Sequence, residues 1–190
     1  MSKKPPKGIP LHADLVFTGK HFSVWQWEQE LYDGSKAIFE AAERRNAALA
    51  VGVLPNNNLL MILDEQPHRE ALIASPGGGL EPGESPETAV RREFQEETGY
   101  SIGQLIPWFT HVYTNKIHFE VNFFIAKDLT KIGEPTPDAG EKIELLEFSF
   151  DDFLQLAWNP KLRERELRIT LLEALADPAK KKELHDLLFT

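Results

Sequence analysis

A chain of 190 residues suffices for one domain with appendages, and 42% hydrophobic residues, including twelve Phe, four Trp and three Tyr, can furnish a sizeable core. The net charge of −9 argues against non-specific binding to nucleic acid or to an anionic membrane, because both require basic surface. The absence of cysteine excludes disulfide and thiolate chemistry and suits a cytoplasmic setting. No run approaches the roughly 20 apolar residues of a membrane span, and residues 1–14 lack the apolar stretch of a secretory signal.

Residues 1–12 (MSKKPPKGIPLH) read as a flexible leader, since three Pro and three Lys oppose regular structure. Residues 14–17 and 22–32 read as strands separated by Gly19-Lys20. In the second, Phe22, Val24, Gln26 and Glu28 take one face, and Ser23, Trp25 and Trp27 the other. Asp33-Gly34 signals a hairpin turn, so residues 35–45 are expected to return as a strand although their Ala, Glu and Lys favour helix locally. Residues 47–54 read as a buried strand, 55–58 as a turn and 59–63 as its partner. A polar link over 66–70 leads to a short strand at 71–74. Arg69, just before that strand, is a candidate for contacting a substrate phosphate, and equally a plain surface arginine.

The stretch from Pro76 to Tyr100 carries the chemistry. Gly77, Gly78 and Gly79 permit a tight turn and close approach of the backbone to a ligand. Ser85 is a good N-cap, Pro86 suits the first helical position, residues 88–97 read as helix, and Gly99 stops it. At about 100° per residue, Glu93, Glu96 and Glu97 share one face, beside a buried face marked by Val90 and Phe94. Residues 77–100 hold six Glu against two Arg, and adjacent carboxylates destabilise a helix unless something offsets them. Hard divalent cations with oxygen ligands do so, whereas the bland alternative is a solvated acidic face. Arg92 is expected to hold one of the glutamates in place.

Two further strands, 109–113 and 116–125, flank Thr114-Asn115. His118 lies on the polar side of the second, facing either the site or solvent. Residues 128–140 form a turn-rich loop ending at Asp138 and Glu141, before a strand at 143–150. A helix over 151–158 capped by Asp151 or Asp152, an amphipathic helix over 162–175 with the stripe Leu162, Ile169, Leu172 and Leu175, and a last helix over 179–189 complete the chain.

The pattern Gly78-x5-Glu84-x7-Arg92-Glu93-Phe94-x-Glu96-Glu97-x-Gly99 resembles the Nudix box at every fixed position. The resemblance implies an α/β fold, an α/β/α sandwich with a mixed sheet, here with an N-terminal antiparallel β-extension over 13–45 and a Nudix domain over 46–190 that includes the C-terminal helices. It implies hydrolysis of a nucleoside diphosphate linked to another group, with Mg²⁺ as cofactor and Mn²⁺ as an alternative. Glu93, Glu96, Glu97 and the Gly78 carbonyl are then the metal ligands. Glu84 is a further acidic position that supports the metal shell or the base. Glu141 or one of the box glutamates is the general base, since this family frequently draws its base from the loop before the last strand.

The extension, together with residues 123–129 and 140–144, is similar to the ADP-ribose pyrophosphatase and nucleoside-diphosphate-sugar hydrolase branch. That likeness implies a homodimer formed through the extension, with Trp25 or Trp27 stacking on the nucleobase. The Ser-Pro-Gly type turn usual in ADP-ribose-specific members is replaced by Tyr113-Thr114-Asn115-Lys116. This counts against ADP-ribose within the expected class of nucleoside diphosphate sugars (ADP-ribose, GDP-mannose or ADP-glucose type) and leaves GDP-mannose and ADP-glucose open. A housecleaning nucleotide or dinucleoside polyphosphate pyrophosphatase and a non-catalytic ligand sensor are the alternative readings.

Overall fold

The alternating run after residue 13 folds as an antiparallel meander of β1 (Asp14–Thr18), β2 (Phe22–Glu30) and β3 (Lys36–Arg44) in the computed structural model, which describes residues 4–190. The hairpin signal prevails over local helix propensity because all of β3 pairs with β2. β4 (Ala47–Val53), β5 (Leu59–Gln66), β6 (Arg69–Ala74) and the short β7 (Gly77–Gly79) lead into α1 (Pro86–Thr98). Two 15-residue strands follow, β8 (Tyr100–Thr114) and β9 (Ile117–Lys131), and then β10 (Lys142–Phe148). The C-terminal part is α2 (Phe150–Gln155) with a 3₁₀ turn (Leu156–Trp158), α3 (Arg165–Ala176) and α4 (Pro178–Phe189).

The strands form one sheet in the order β1-β2-β3-β9-β4-β5-β10, with β6 beside β5, β7 beside β4 and β8 beside β9. β9 runs parallel to β3 and to β4, while the other pairs are antiparallel, so the sheet is mixed as expected. Helices cover both faces. Ala48, Ala50, Leu60, Phe124 and Ala126 pack against Ala89, Val90 and Phe94 of α1. Val51, Met61, Phe123 and Ile125 pack against Phe153, Leu167, Leu171 and Leu188 of the C-terminal helices. Alternation along β4 therefore serves two cores at once, with Ala48 and Ala50 facing α1 and Ala47, Leu49 and Val51 facing the C-terminal helices.

Several expectations need correction. Residues 4–12 do not behave as a free leader: Ile9 and Ala13 are buried with Trp25 and Ala41 in a third cluster, because the Trp25 face needs a cover. Residues 1–3 of that segment lie outside the described residues. β8 begins directly after α1, and β9 continues through Lys131, so the long loop starts at residue 132 rather than 128. The two strands extend each other across a register shift at Pro107, where a residue without an N–H is tolerated. The cap of α2 is Ser149, whose hydroxyl accepts from the Asp152 N–H at 3.2 Å, rather than Asp151 or Asp152. The buried stripe of α3 is Leu167, Leu171 and Ala174. Leu162 precedes the helix and Ile169 faces solvent, because the helix starts at Arg165 and shifts the phase of the pattern.

Candidate active site

α1 opens and closes as its residues dictate. The Ser85 hydroxyl accepts from the Thr88 N–H, Pro86 follows, and Gly99 ends the helix in the left-handed region at φ 72°. Between these ends Arg92 binds three carboxylates. It grips Glu84 through Nε at 3.1 Å and Nη2 at 3.0 Å, and its Nη1 donates to Glu93 at 2.8 Å and to Glu96 at 3.2 Å. Arg92 thus positions the acidic face, and its own ionisation is strengthened, above all by the bond to Glu84. Glu84 accepts from the Glu81 N–H as well, and the Arg92 bond holds its carboxyl below the usual range. A carboxylate so occupied is a scaffold for Arg92 and, through it, for Glu93 and Glu96.

Glu97 points to the glycine loop, accepting from the Gly77 N–H at 2.6 Å. Burial raises its carboxyl well above the ordinary value, and Glu93 and Glu141 raise it further. Burial likewise raises Glu93, with Glu96 and Asp138 adding to the effect against Arg92. Glu141 reaches the cluster from the loop after β9. That loop lies on the end of α1, where the Thr136 N–H donates to the Glu96 carbonyl at 2.7 Å. Gln66 of β5 donates to Glu141 at 3.1 Å. Burial raises the Glu141 carboxyl, with Asp64, Asp138 and Glu93 adding to the shift.

The structure therefore gathers Glu93, Glu97 and Glu141 into one field of mutually repelling carboxylates. Among the described residues no three such side chains are drawn together into a finished ligand sphere. Their chemistry nonetheless fits a hard divalent cation, being all oxygen donors with excess negative charge. Gly78 also fits: a Cβ there would lie 2.6 Å from Glu93 Cδ and 2.8 Å from both its oxygens, so only glycine leaves that cradle free.

The substrate-binding candidates separate. Arg69 is not a plain surface arginine: its Nη2 donates to Asp64 at 2.6 Å, and Asp64 is buried. Arg163, just before α3, donates to the same Asp64 oxygen, and no spacing in the sequence pointed to it. Trp25 is 2% exposed and donates to Glu43 at 2.9 Å, so its ring faces are covered and base stacking does not suit it. Trp27 is half-buried beside Phe39, with ring centroids 6.1 Å apart, and stays accessible. His118 is buried between the Lys7 and Asn115 carbonyls, 3.1 Å from each, and takes no part in the site. A cleft of about 550 Å³ opens between the β1–β2 turn and the loop before α1, lined in part by Lys20, Phe22, Arg44, Arg45 and Glu84.

The NUDIX domain model matches residues 43–169, well over half of the chain. An ADP-ribose pyrophosphatase of Bacillus subtilis (strain 168) is 29% identical over 147 residues, spanning 75% of this chain and 79% of that protein. A methanol dehydrogenase activator of Bacillus methanolicus is 27% identical over 150 residues, or 76% and 80%. A GDP-mannose pyrophosphatase of Salmonella paratyphi B is 28% identical over 103 residues, about half of each chain. In fold, the crystal structure of an ADP compounds hydrolase superposes with a TM-score of 0.71 at 22% identity, covering 90% of this chain and 94% of that one. The glycine loop, the arginine-braced glutamates and the sandwich around them thus have one explanation, that this chain belongs to the NUDIX domain family.

Proposed function

We propose that the chain is a Mg²⁺-dependent pyrophosphatase that hydrolyses a nucleoside diphosphate sugar, acting as a cytoplasmic homodimer, with Mn²⁺ as an alternative ion. The observation that carries this reading is the convergence of Glu93, Glu97 and Glu141 beside the Gly78 backbone. The names of the relatives, ADP-ribose pyrophosphatase and GDP-mannose pyrophosphatase, support the substrate class. A divalent cation bound there would neutralise the diphosphate and acidify the attacking water.

Glu93, Glu96 and Glu97 would hold the ion, with Arg92 fixing the first two and the Gly77 N–H the third. Glu141 is the proton acceptor in this reading, because it lies in the cluster, is free of any arginine bond, and burial raises its carboxyl above the ordinary value. Water adds to one phosphorus, the bridging P–O bond breaks, and its electron pair leaves on the oxygen of the other phosphate. The products are a nucleoside monophosphate and a sugar phosphate. The cleft beside Glu84 has the size of a small-molecule site and supplies cations for a phosphorylated ligand.

The replaced turn at residues 113–116 counts against ADP-ribose, while the relative aligned over three quarters of the chain bears that name. ADP-ribose, ADP-glucose and GDP-mannose therefore all belong in the deciding screen, beside dinucleoside polyphosphates. Each is incubated with protein and Mg²⁺, then phosphatase is added and phosphate is read. Release from a sugar nucleotide is expected. Preference for polyphosphates would instead make this a housecleaning enzyme, and no turnover of any compound would favour a ligand sensor.

A further inference from the structure

The geometry points to Arg163 as a phosphate-binding residue, which Asp64 holds beside Arg69 so that the two guanidinium groups grip the diphosphate where it leaves the acidic cluster. This inference rests on the pyrophosphatase reading above.

Asp64, at the end of β5, is 3% exposed and accepts from both arginines through one oxygen. Asp64 balances one of the two guanidinium charges, and the charge of Arg163 also faces the carboxylates of Glu97, Glu141 and Glu164. Both arginine side chains stay partly open, 28% exposed for Arg69 and 31% for Arg163. Each guanidinium carries five N–H groups and gives one of them to Asp64, while its Nε is buried out of reach of a ligand, so the donors left for one are the terminal N–H groups. Remaining terminal donors on a partly open guanidinium held by a buried carboxylate are what a phosphate oxygen requires.

The placement is fixed by the backbone. Residues 161–163 run beside β6, with the Ile73 N–H donating to the Lys161 carbonyl and the Arg163 N–H to the Ile73 carbonyl, both at 2.9 Å. That pairing sets Arg163 against the strand that enters the glycine loop. Its charge reaches the acidic cluster, opposing the rise that burial imposes on Glu97 and on Glu141. A diphosphate held by a cation at that cluster has further anionic oxygens to satisfy, and the pairing of Ile143 with Asp64 brings the start of β10, just after Glu141, beside the carboxylate that holds Arg163.

The test uses the full chain and inorganic pyrophosphate with excess Mg²⁺, binding being read by calorimetry, in Arg163→Ala, Arg163→Lys and the double variant Asp64→Asn/Arg163→Ala. We expect binding to weaken about tenfold or more in Arg163→Ala, in line with losing a charge-assisted bond. Arg163→Lys should recover part of the loss. The double variant, which removes the Asp64 charge together with its Arg163 partner and so keeps the experiment informative if Arg163→Ala does not fold, should stay weak. With a turned-over sugar nucleotide, KM should rise more than kcat falls. Binding within twofold of the parent in Arg163→Ala, recovery to parent strength in the double variant, or no pyrophosphate binding by the parent would each overturn the assignment. Recovery in the double variant would mean that Arg163 only neutralises Asp64. Pyrophosphate binding that depends on Arg163 without turnover of any diphosphate would retire the enzymatic reading alone. Turnover with Arg163-independent binding would retire this inference alone.

Discussion

Glu97 is held by one bond from the Gly77 N–H inside a buried setting that resists its charge. Its pKa is raised, so its contribution to stability is fully present below the ordinary carboxylate value, about 4.3, and is lost as pH rises through the folded value. Without added cation, Glu97→Gln should therefore keep or raise Tm at pH 8 and change little at pH 4, while kcat falls about 10²–10⁴-fold. Glu141→Gln should lower kcat more than it raises KM, as loss of a base does. Near-normal turnover in both would remove the assignment. Glu164, outside the proposed cation ligands, offers a second titration. Burial pushes its carboxyl up to about 7; Arg163 and the Ser75 N–H, 3.4 Å away, oppose the shift, and one oxygen has no partner. At 1.36 kcal/mol per unit, a rise from 4.5 to about 7 puts the penalty on ionising it on the order of 3 kcal/mol. That stability is present below about 4.5 and lost through about 7, so parent Tm should fall more steeply between pH 5 and 8 than that of Glu164→Gln. Parallel slopes would show that Glu164 does not titrate there.

Gly78 in β7, against the acidic face of α1, and Gly99 at the end of α1 have different duties, and substitution separates them. Alanine at Gly78 drives a Cβ into the Glu93 carboxylate, the far end of a side chain that can move aside. Alanine at Gly99 meets the Gly133 carbonyl from a backbone at φ 72°, where neither the contact nor the conformation relaxes easily. Gly78→Ala should therefore impair kcat and cation binding at little cost in denaturant midpoint. Gly99→Ala should lose on the order of 1–3 kcal/mol of stability and retain much of its turnover per folded molecule. The reverse pattern would overturn this division. Both glycines were readable from the sequence because α1 is a local object: its cap, its period and its stop lie within one stretch. So were the β2–β3 hairpin and the acidic face. The length of β8 and β9 was not, since only their mutual pairing extends them past Pro107 and through Lys131. Nor was Arg163, whose meaning comes from Asp64, 99 residues away in the chain.

The N-terminal meander continues the main sheet rather than hanging from it, through the parallel pairing of Ala42 with Ile117 and Glu43 with His118. Its Trp25 face is covered from within the chain by Ile9 and Ala13, so the apolar surface that calls for a partner is not the one the two tryptophans suggested. It is carried instead by Val16, Phe17, Phe22 and Ile38, which are 50%, 56%, 46% and 66% exposed. β1 is also an edge strand, and an apolar edge invites pairing. A second copy related by a two-fold axis is the commonest way to bury such a surface. Light scattering should find a dimer at micromolar concentration, and Phe17→Asp with Ile38→Asp should shift it to monomer without unfolding it, since neither side chain belongs to a core cluster. The same pair should weaken substrate binding if the extension shapes the nucleotide site. Trp27→Ala then tests the contact itself: loss of a stacked base costs about 1–3 kcal/mol, read as a raised KM with a smaller change in kcat. A parent protein that is monomeric at micromolar concentration, with kinetics unchanged in Trp27→Ala, would reduce the meander to packing. It would also remove one of the reasons for preferring a sugar nucleotide over a simpler polyphosphate.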